Sequence, residues 1–224
     1  MGAGRDEGET RPLLVLVTGT APGVGKSETS RRIASLLRAG GAPVEHFDEA
    51  DVLVRPEFAD LIAVWARGER PGAELVLDAA TRYLAQCARA PQRAFVQDAL
   101  FPFLPSLFAW GYTDGDITAF LTELGRRCSS FDVRHIHLVG DPAATIPRAA
   151  TREGSEWLAG FIARVGRFAD GSGVVDAPSL AAYFEANDDR ARRLLAHVAW
   201  PVCVVDASVC RGDVASVLGR LLEA

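Results

Sequence analysis

The sequence predicts a three-layer α/β/α fold, a five-stranded parallel sheet covered by helices on both faces. Five short apolar runs carry that prediction: Leu13–Val17, Val44–Phe47, Ala94–Val96, Ile136–Val139 and Val202–Val205. Apart from Val44–Phe47, which carries Glu45 and His46, they are almost continuously apolar rather than alternating, as expected of strands buried on both faces. Helix-length segments separate them, the alternation that builds parallel sheets. The first run also leads through a glycine-rich turn directly into an amphipathic stretch, the order of a βα unit.

Taken in chain order, the first strand feeds a turn and then a helix over Glu28–Leu37. After the second strand, helical patterns cover Glu57–Ala66 and Glu74–Ala88, divided by the Gly68–Gly72 turn. A helix over Ile117–Arg127 precedes the fourth strand, and Ala143–Phe168 reads as one long or broken helix after it. Leu180–Val198 is a further helix, amphipathic enough to cover either the core or a second copy in a homodimer. Asp213–Leu222 closes the chain.

The 224 residues, 49% of them hydrophobic, suit one domain over residues 11–224. Residues 1–10 are polar and glycine-rich and are expected to form a disordered tail without an apolar signal core. A net charge of -5 gives no electrostatic footprint for nucleic acid, and no segment reads as a membrane span. Cys87, Cys128, Cys203 and Cys210 lack paired metal spacing, so a reduced, cytoplasmic protein is the expectation.

Lys26 is the only lysine among 24 basic side chains, and it sits in Gly19-Thr20-Ala21-Pro22-Gly23-Val24-Gly25-Lys26-Ser27. Glycines allow successive N–H groups to turn around an anion, and the helix N-terminus adds partial positive charge. A compact ammonium fits between phosphates where a planar guanidinium does not. The spacing is Gly-x5-Gly-Lys-Ser, one residue longer than the commonest form. Ala21, Pro22, Gly23, Val24, Gly25, Lys26, Ser27 and Glu28 are therefore expected to hold nucleotide phosphates, with the Ser27 hydroxyl on Mg²⁺.

In open α/β sheets ligands collect beyond the carboxyl ends of the strands. Asp48 and Asp51 follow the second strand, Gln97 and Asp98 end the third, and Asp206 to Arg211 follow the fifth. Asp48 is a candidate base toward a hydroxyl, or a helix cap, and Asp51 competes for both roles. Asp98 ends an apolar strand as a metal-engaging acid does, with an acceptor-side role as the alternative. Arg148 and Arg152, four apart, share a helix face in a candidate lid over about residues 143–170, and Arg164 and Arg167 lie further along it. His135 and His137 alternate on a strand without a third ligand, which favours a structural role. Aromatic residues between Phe58 and Tyr112 are mostly core, with a few left to line an acceptor pocket.

Together, Gly25-Lys26-Ser27, Phe47-Asp48, Val96-Gln97-Asp98-Ala99-Leu100-Phe101 and the helix from Arg148 resemble P-loop kinases of the nucleoside and nucleotide kinase group. Within it, the chain is most similar to small-molecule kinases of the chloramphenicol phosphotransferase and shikimate kinase types. That resemblance implies a P-loop NTPase fold and ATP- and Mg²⁺-dependent phosphoryl transfer to the hydroxyl of a metabolite or antibiotic. It implies Lys26 on the β- and γ-phosphates, Asp48 as base, Asp98 and Ser27 at the metal, Arg148 and Arg152 closing over the transfer, and Asp206–Arg211 beside the adenine. A nucleoside or nucleoside monophosphate kinase is the alternative, with Arg55, Arg67 or Arg82 as acceptor-side arginines. A nucleotide-dependent regulatory ATPase is a third. A single lysine excludes an Asn-Lys-x-Asp guanine-reading motif and a lysine-rich synthetase site.

Overall fold

The structure, a computed structural model, describes residues 11–98, 100–168 and 170–223, so the expected tail over residues 1–10 lies outside the described residues. Five strands, β1 (Leu13–Thr18), β2 (Val44–Phe47), β3 (Ala94–Asp98), β4 (Asp132–Val139) and β5 (Val202–Asp206), form one sheet in the order β2-β3-β1-β4-β5. Every pairing is parallel. Leu14, Val15, Leu16 and Val17 of the central β1 are at most 1% exposed, which requires cover on both faces.

Ten helices join the described strands. They are α1 (Lys26–Ala39), α2 (Ala59–Ala66), α3 (Ala73–Arg89), α4 (Leu104–Ala109), α5 (Asp114–Arg127), α6 (Pro142–Glu153), α7 (Ser155–Val165), α8 (Ala177–Leu195), α9 (Ala207–Gly212) and α10 (Val214–Glu223). Ile33, Ala34, Cys210, Val217 and Leu221 pack on one face of the sheet, placing α1, α9 and α10 there. Tyr83, Leu84, Leu107, Ile117, Leu124 and Leu194 pack on the other, placing α3, α4, α5 and the end of α8 there. A third cluster, with Ile146, Val165, Leu180 and Phe184, binds α6 and α7 to the start of α8.

Local chemistry sets several boundaries. The Ala143–Phe168 pattern breaks into α6 and α7 at Gly154, whose φ of 100° suits a glycine and ends α6. Asp141 caps α6 by accepting from the Ala143 N–H. α8 begins three residues earlier than the periodicity predicts, because Asp176 caps it and Pro178 occupies its first turn. Glu57–Ala66 resolves into a 3₁₀ turn at Pro56–Phe58 followed by α2, while α4 is a short helix that the apolar pattern does not reveal. Among the described residues no helix is long and apolar enough to cross a membrane.

The chain leaves β1 toward β2 and β3 on one side, and returns to β4 and β5 on the other. Connections diverging from the centre open a crevice at the carboxyl ends of β1 and β4. The glycine-rich loop lies there.

Candidate functional site

The loop from Gly19 to Gly25 turns between β1 and α1 through two left-handed glycines, Gly23 (φ 72°) and Gly25 (φ 107°). A Cβ on Gly23 would lie 2.3 Å from the Thr145 carbonyl oxygen, so the crest of the loop presses against α6 and tolerates no side chain. A Cβ on Gly19 would stand 2.7 Å from the Leu138 carbonyl oxygen. Among the described residues, the N–H groups of Ala21, Gly23, Val24 and Gly25 have no backbone acceptor. Unpartnered donors at a helix N-terminus form an anion site.

A cavity of about 1110 Å³ opens over this loop. Lys26, Arg31, Arg148, Arg152, Arg164 and Arg211 line it against three carboxylates, Glu28, Glu49 and Glu153. The expected lid arginines Arg148 and Arg152 thus reach the same space as Lys26; Arg167 is not among the lining residues. Arg152 also pairs with Glu153 at 2.7 Å. Lys26 Nζ donates to the Ala21 carbonyl oxygen at 3.4 Å, a long bond that an incoming anion can replace. Arg211 is held over the loop because Arg32 Nη1 donates to its carbonyl oxygen at 2.7 Å, tying α9 to α1. A second cavity of about 190 Å³ lies between the ends of β4 and β5, bounded by Gly140, Asp141, Asp206 and Ser208, and Arg148 and Arg211 line both.

Asp98 is fully buried at the end of β3, and neither carboxylate oxygen has a hydrogen-bond partner. Burial pushes its carboxyl up from the ordinary range; the adjacent Ser27 hydroxyl and Lys26 ammonium pull the other way, and the Asp48 carboxylate adds to the rise. Native interiors rarely leave such a group unmatched, and a buried carboxylate beside a hydroxyl suits a hard divalent cation. The pair offers the oxygen donors Mg²⁺ takes, with Ser27 lining the cavity and Asp98 buried behind it rather than in the lining. Among the described residues no group of three or more His, Cys, Asp or Glu is arranged to hold a metal by itself.

Asp48 stands at the end of β2, where Arg31 Nη2 donates to its carboxylate at 3.0 Å. Its own N–H donates to Asp51 Oδ2 at 3.0 Å, and the pair starts the 3₁₀ turn Glu49–Leu53. Asp48 is therefore at a cap and joined to the site only through Arg31; it is not itself among the residues that line the cavity, whereas its neighbour Glu49 is. The candidate acceptor-side arginines lie outside the cavity lining. Arg55 pairs with Glu45 at 2.6 Å, Arg67 with Glu69 at 2.7 Å, and Arg82 with Asp60 at 3.5 Å.

His135 and His137 do share a face, and both reach the Thr18 hydroxyl, from Nε2 at 2.6 Å and Nδ1 at 2.9 Å. The indole of Trp200 donates to His135 Nδ1 at 3.3 Å, which fixes the direction of the whole chain. His135 must carry its proton on Nε2 and give it to Thr18, whose hydroxyl gives to His137 Nδ1. His137 Nε2–H then donates to Asp188 Oδ1 at 3.1 Å, and the Thr20 hydroxyl donates to the same oxygen at 3.2 Å. Burial and the neighbouring His137 hold His135 well below the usual imidazole range, so it stays neutral. Asp188, like Arg31, is a residue that sequence reasoning missed. It lies in the polar run Asn187-Asp188-Asp189-Arg190, which looks like a solvated helix face, yet it anchors α8 to the glycine-rich loop.

Comparison with protein-family models and with curated proteins finds no match for this chain.

Proposed function

We propose that this protein is an ATP- and Mg²⁺-dependent kinase that transfers the γ-phosphoryl group to a hydroxyl of a small molecule. The observation that carries the reading is the glycine-rich loop with its unpartnered N–H groups at the head of α1, set in one cavity with Lys26 and five arginines. Six cations against three carboxylates leave an excess that a bound triphosphate neutralises.

In this reading the loop N–H groups and Lys26 hold the β- and γ-phosphates, and the adenine occupies the smaller cavity beside Asp206 and Ser208. Ser27 and Asp98 hold the Mg²⁺ ion, which when bound screens the charge between the phosphates. Arg148 and Arg152 approach from α6 and neutralise charge on the transferring group. The acceptor hydroxyl oxygen forms its bond to the γ-phosphorus as the bond to the β,γ-bridging oxygen breaks. Asp48 takes the hydroxyl proton once the phosphates compete for Arg31, and ADP leaves. Little covalent work falls to the protein, and positioning supplies most of the rate.

Arg55, Arg67 and Arg82 do not line the cavity that Lys26 shares with Arg148 and Arg152, which disfavours a monophosphate acceptor. The reading is tested by incubating the protein with Mg·ATP and a metabolite and antibiotic pool. It expects one compound to gain a phosphoryl group, by mass spectrometry, in step with ADP release. ATP that is turned over to free phosphate alone, whatever the pool, contradicts it and favours a regulatory ATPase.

A further inference from the structure

The part of the cavity away from the glycine-rich loop is walled by aromatic rings in a regular arrangement. Trp157 and Phe161 stack at 4.9 Å with planes 10° apart, and Phe161 and Phe184 at 5.9 Å with planes 5° apart. Three rings from α7 and α8 thus lie nearly parallel, and all three line the cavity. Phe184 is buried, whereas Trp157 and Phe161 are partly buried, Phe161 against the same cluster as Phe184. Stacked apolar faces left partly open to a cavity are better suited to a ligand than to a closed core. The Arg164 guanidinium sits 4.8 Å from the centre of the Phe161 ring and extends the same wall with a flat cation.

One polar group interrupts this wall from α8. Asn187, 9% exposed, lies one turn beyond Phe184 and also lines the cavity. The Tyr183 hydroxyl beside it is directed at Asp170, 3.2 Å from both carboxylate oxygens. An amide offers one acceptor and two donors to the edge of a planar ligand. The next residue, Asp188, is bound to His137 and to Thr20, so the position of Asn187 is fixed relative to the glycine-rich loop.

We propose that α8 reads the acceptor, and that the acceptor is a neutral or anionic hydroxyl compound carrying a planar aromatic ring. The ring stacks on the Trp157–Phe161–Phe184 wall, Asn187 bonds its polar edge, and the hydroxyl points back toward the loop. The excess of cations around the cavity repels a polycationic acceptor, and the aromatic wall offers little to an aliphatic polyol. This assignment rests on the kinase reading above.

The test uses the full chain with Mg·ATP and four acceptors: thymidine, 4-hydroxybenzyl alcohol, glucose and a 2-deoxystreptamine aminoglycoside. ATP binding is measured first by calorimetry, without acceptor; its absence defeats the kinase reading itself. With ATP bound, phosphorylation of either aryl compound is expected, and the choice between them separates a nucleobase from a phenolic ring. Phe161→Leu keeps an apolar side chain of smaller volume and removes a ring face, and should raise the aryl KM about five- to tenfold with ATP affinity unchanged. Asn187→Ala should do likewise, and Phe184→Leu serves where either variant folds poorly. Preference for glucose or the aminoglycoside, failure of both aryl compounds while ATP binds, or an unchanged KM in folded Phe161→Leu overturns the assignment.

Discussion

Replacing Asp98 with asparagine keeps the shape of the side chain and removes its charge. In the structure that charge is fully buried, and neither oxygen has a hydrogen-bond partner. A buried polar group left unmatched costs about 1–3 kcal/mol, and more when ionised. Ser27 and Lys26 nearby recover part of this, and the asparagine amide keeps some unmade bonds of its own. The net gain for Asp98→Asn without ligand is therefore about 1–2 kcal/mol, or about 2–8 °C in Tm for a chain of this size. Mg·ATP should reverse the order. At a hundredfold excess over Kd a ligand adds about 2.7 kcal/mol to the protein that binds it, and the variant lacks the carboxylate that holds the ion. Thermal unfolding followed by circular dichroism, with and without Mg·ATP, measures both halves. A variant less stable than the parent in plain buffer refutes the reasoning, because Asp98 would then be a structural residue.

Three further outcomes follow from the geometry. His135 is neutral in the fold while its unfolded counterpart titrates near pH 6.5, so the unfolded chain binds the extra proton; stability should be full above that pH and fall by up to about 1.4 kcal/mol per unit as pH drops to 5. Denaturant titrations at pH 7.5 and 5.0 check the fall, and a His135 resonance that protonates near pH 6.5 would contradict the cause. Gly23→Ala forces a side chain against Thr145 at a positive φ and should cost about 2 kcal/mol or more, with weakened ATP binding; Gly160→Ala, in open space on α7, should instead stabilise by about 0.5–1 kcal/mol. Asp48→Asn should lower kcat about 10²- to 10⁴-fold, while Glu49→Gln stays within about tenfold, and steady-state kinetics showing the reverse would move the base to Glu49.

The strands were the most legible part of the chain, because burial on both faces writes a continuous apolar run. Leu13–Val17 shows this most plainly, whereas Val44–Phe47 keeps the bounds read from the sequence although Glu45 and His46 are polar and only Phe47 is buried, as suits an edge strand. β4 begins four residues before its apolar run, at Asp132, because Arg134 and His135 satisfy their polarity within the fold: Arg134 pairs with Asp132, and His135 with Thr18 and Trp200. α4 leaves no signal in the pattern, because six residues with Pro105 in the first turn give no period to count. The loop and the arginines of α6 were legible because their chemistry is local in sequence. Arg31 and Asp188 were not, since each is one charge on a helix, and only tertiary packing brings one to Asp48 and the other to His137 and Thr20. Strand order was likewise beyond the pattern, as apolar runs do not say which neighbours they take.

The central claim is that the loop around Lys26 binds the phosphates of ATP. Calorimetric titration of Mg·ATP into the intact protein and into Lys26→Ala tests it most directly. Saturable one-to-one binding by the parent, lost or weakened at least about a hundredfold in a variant with an unchanged circular dichroism spectrum, is the predicted result. Equal affinity in the two proteins, or no binding to the parent, contradicts the claim.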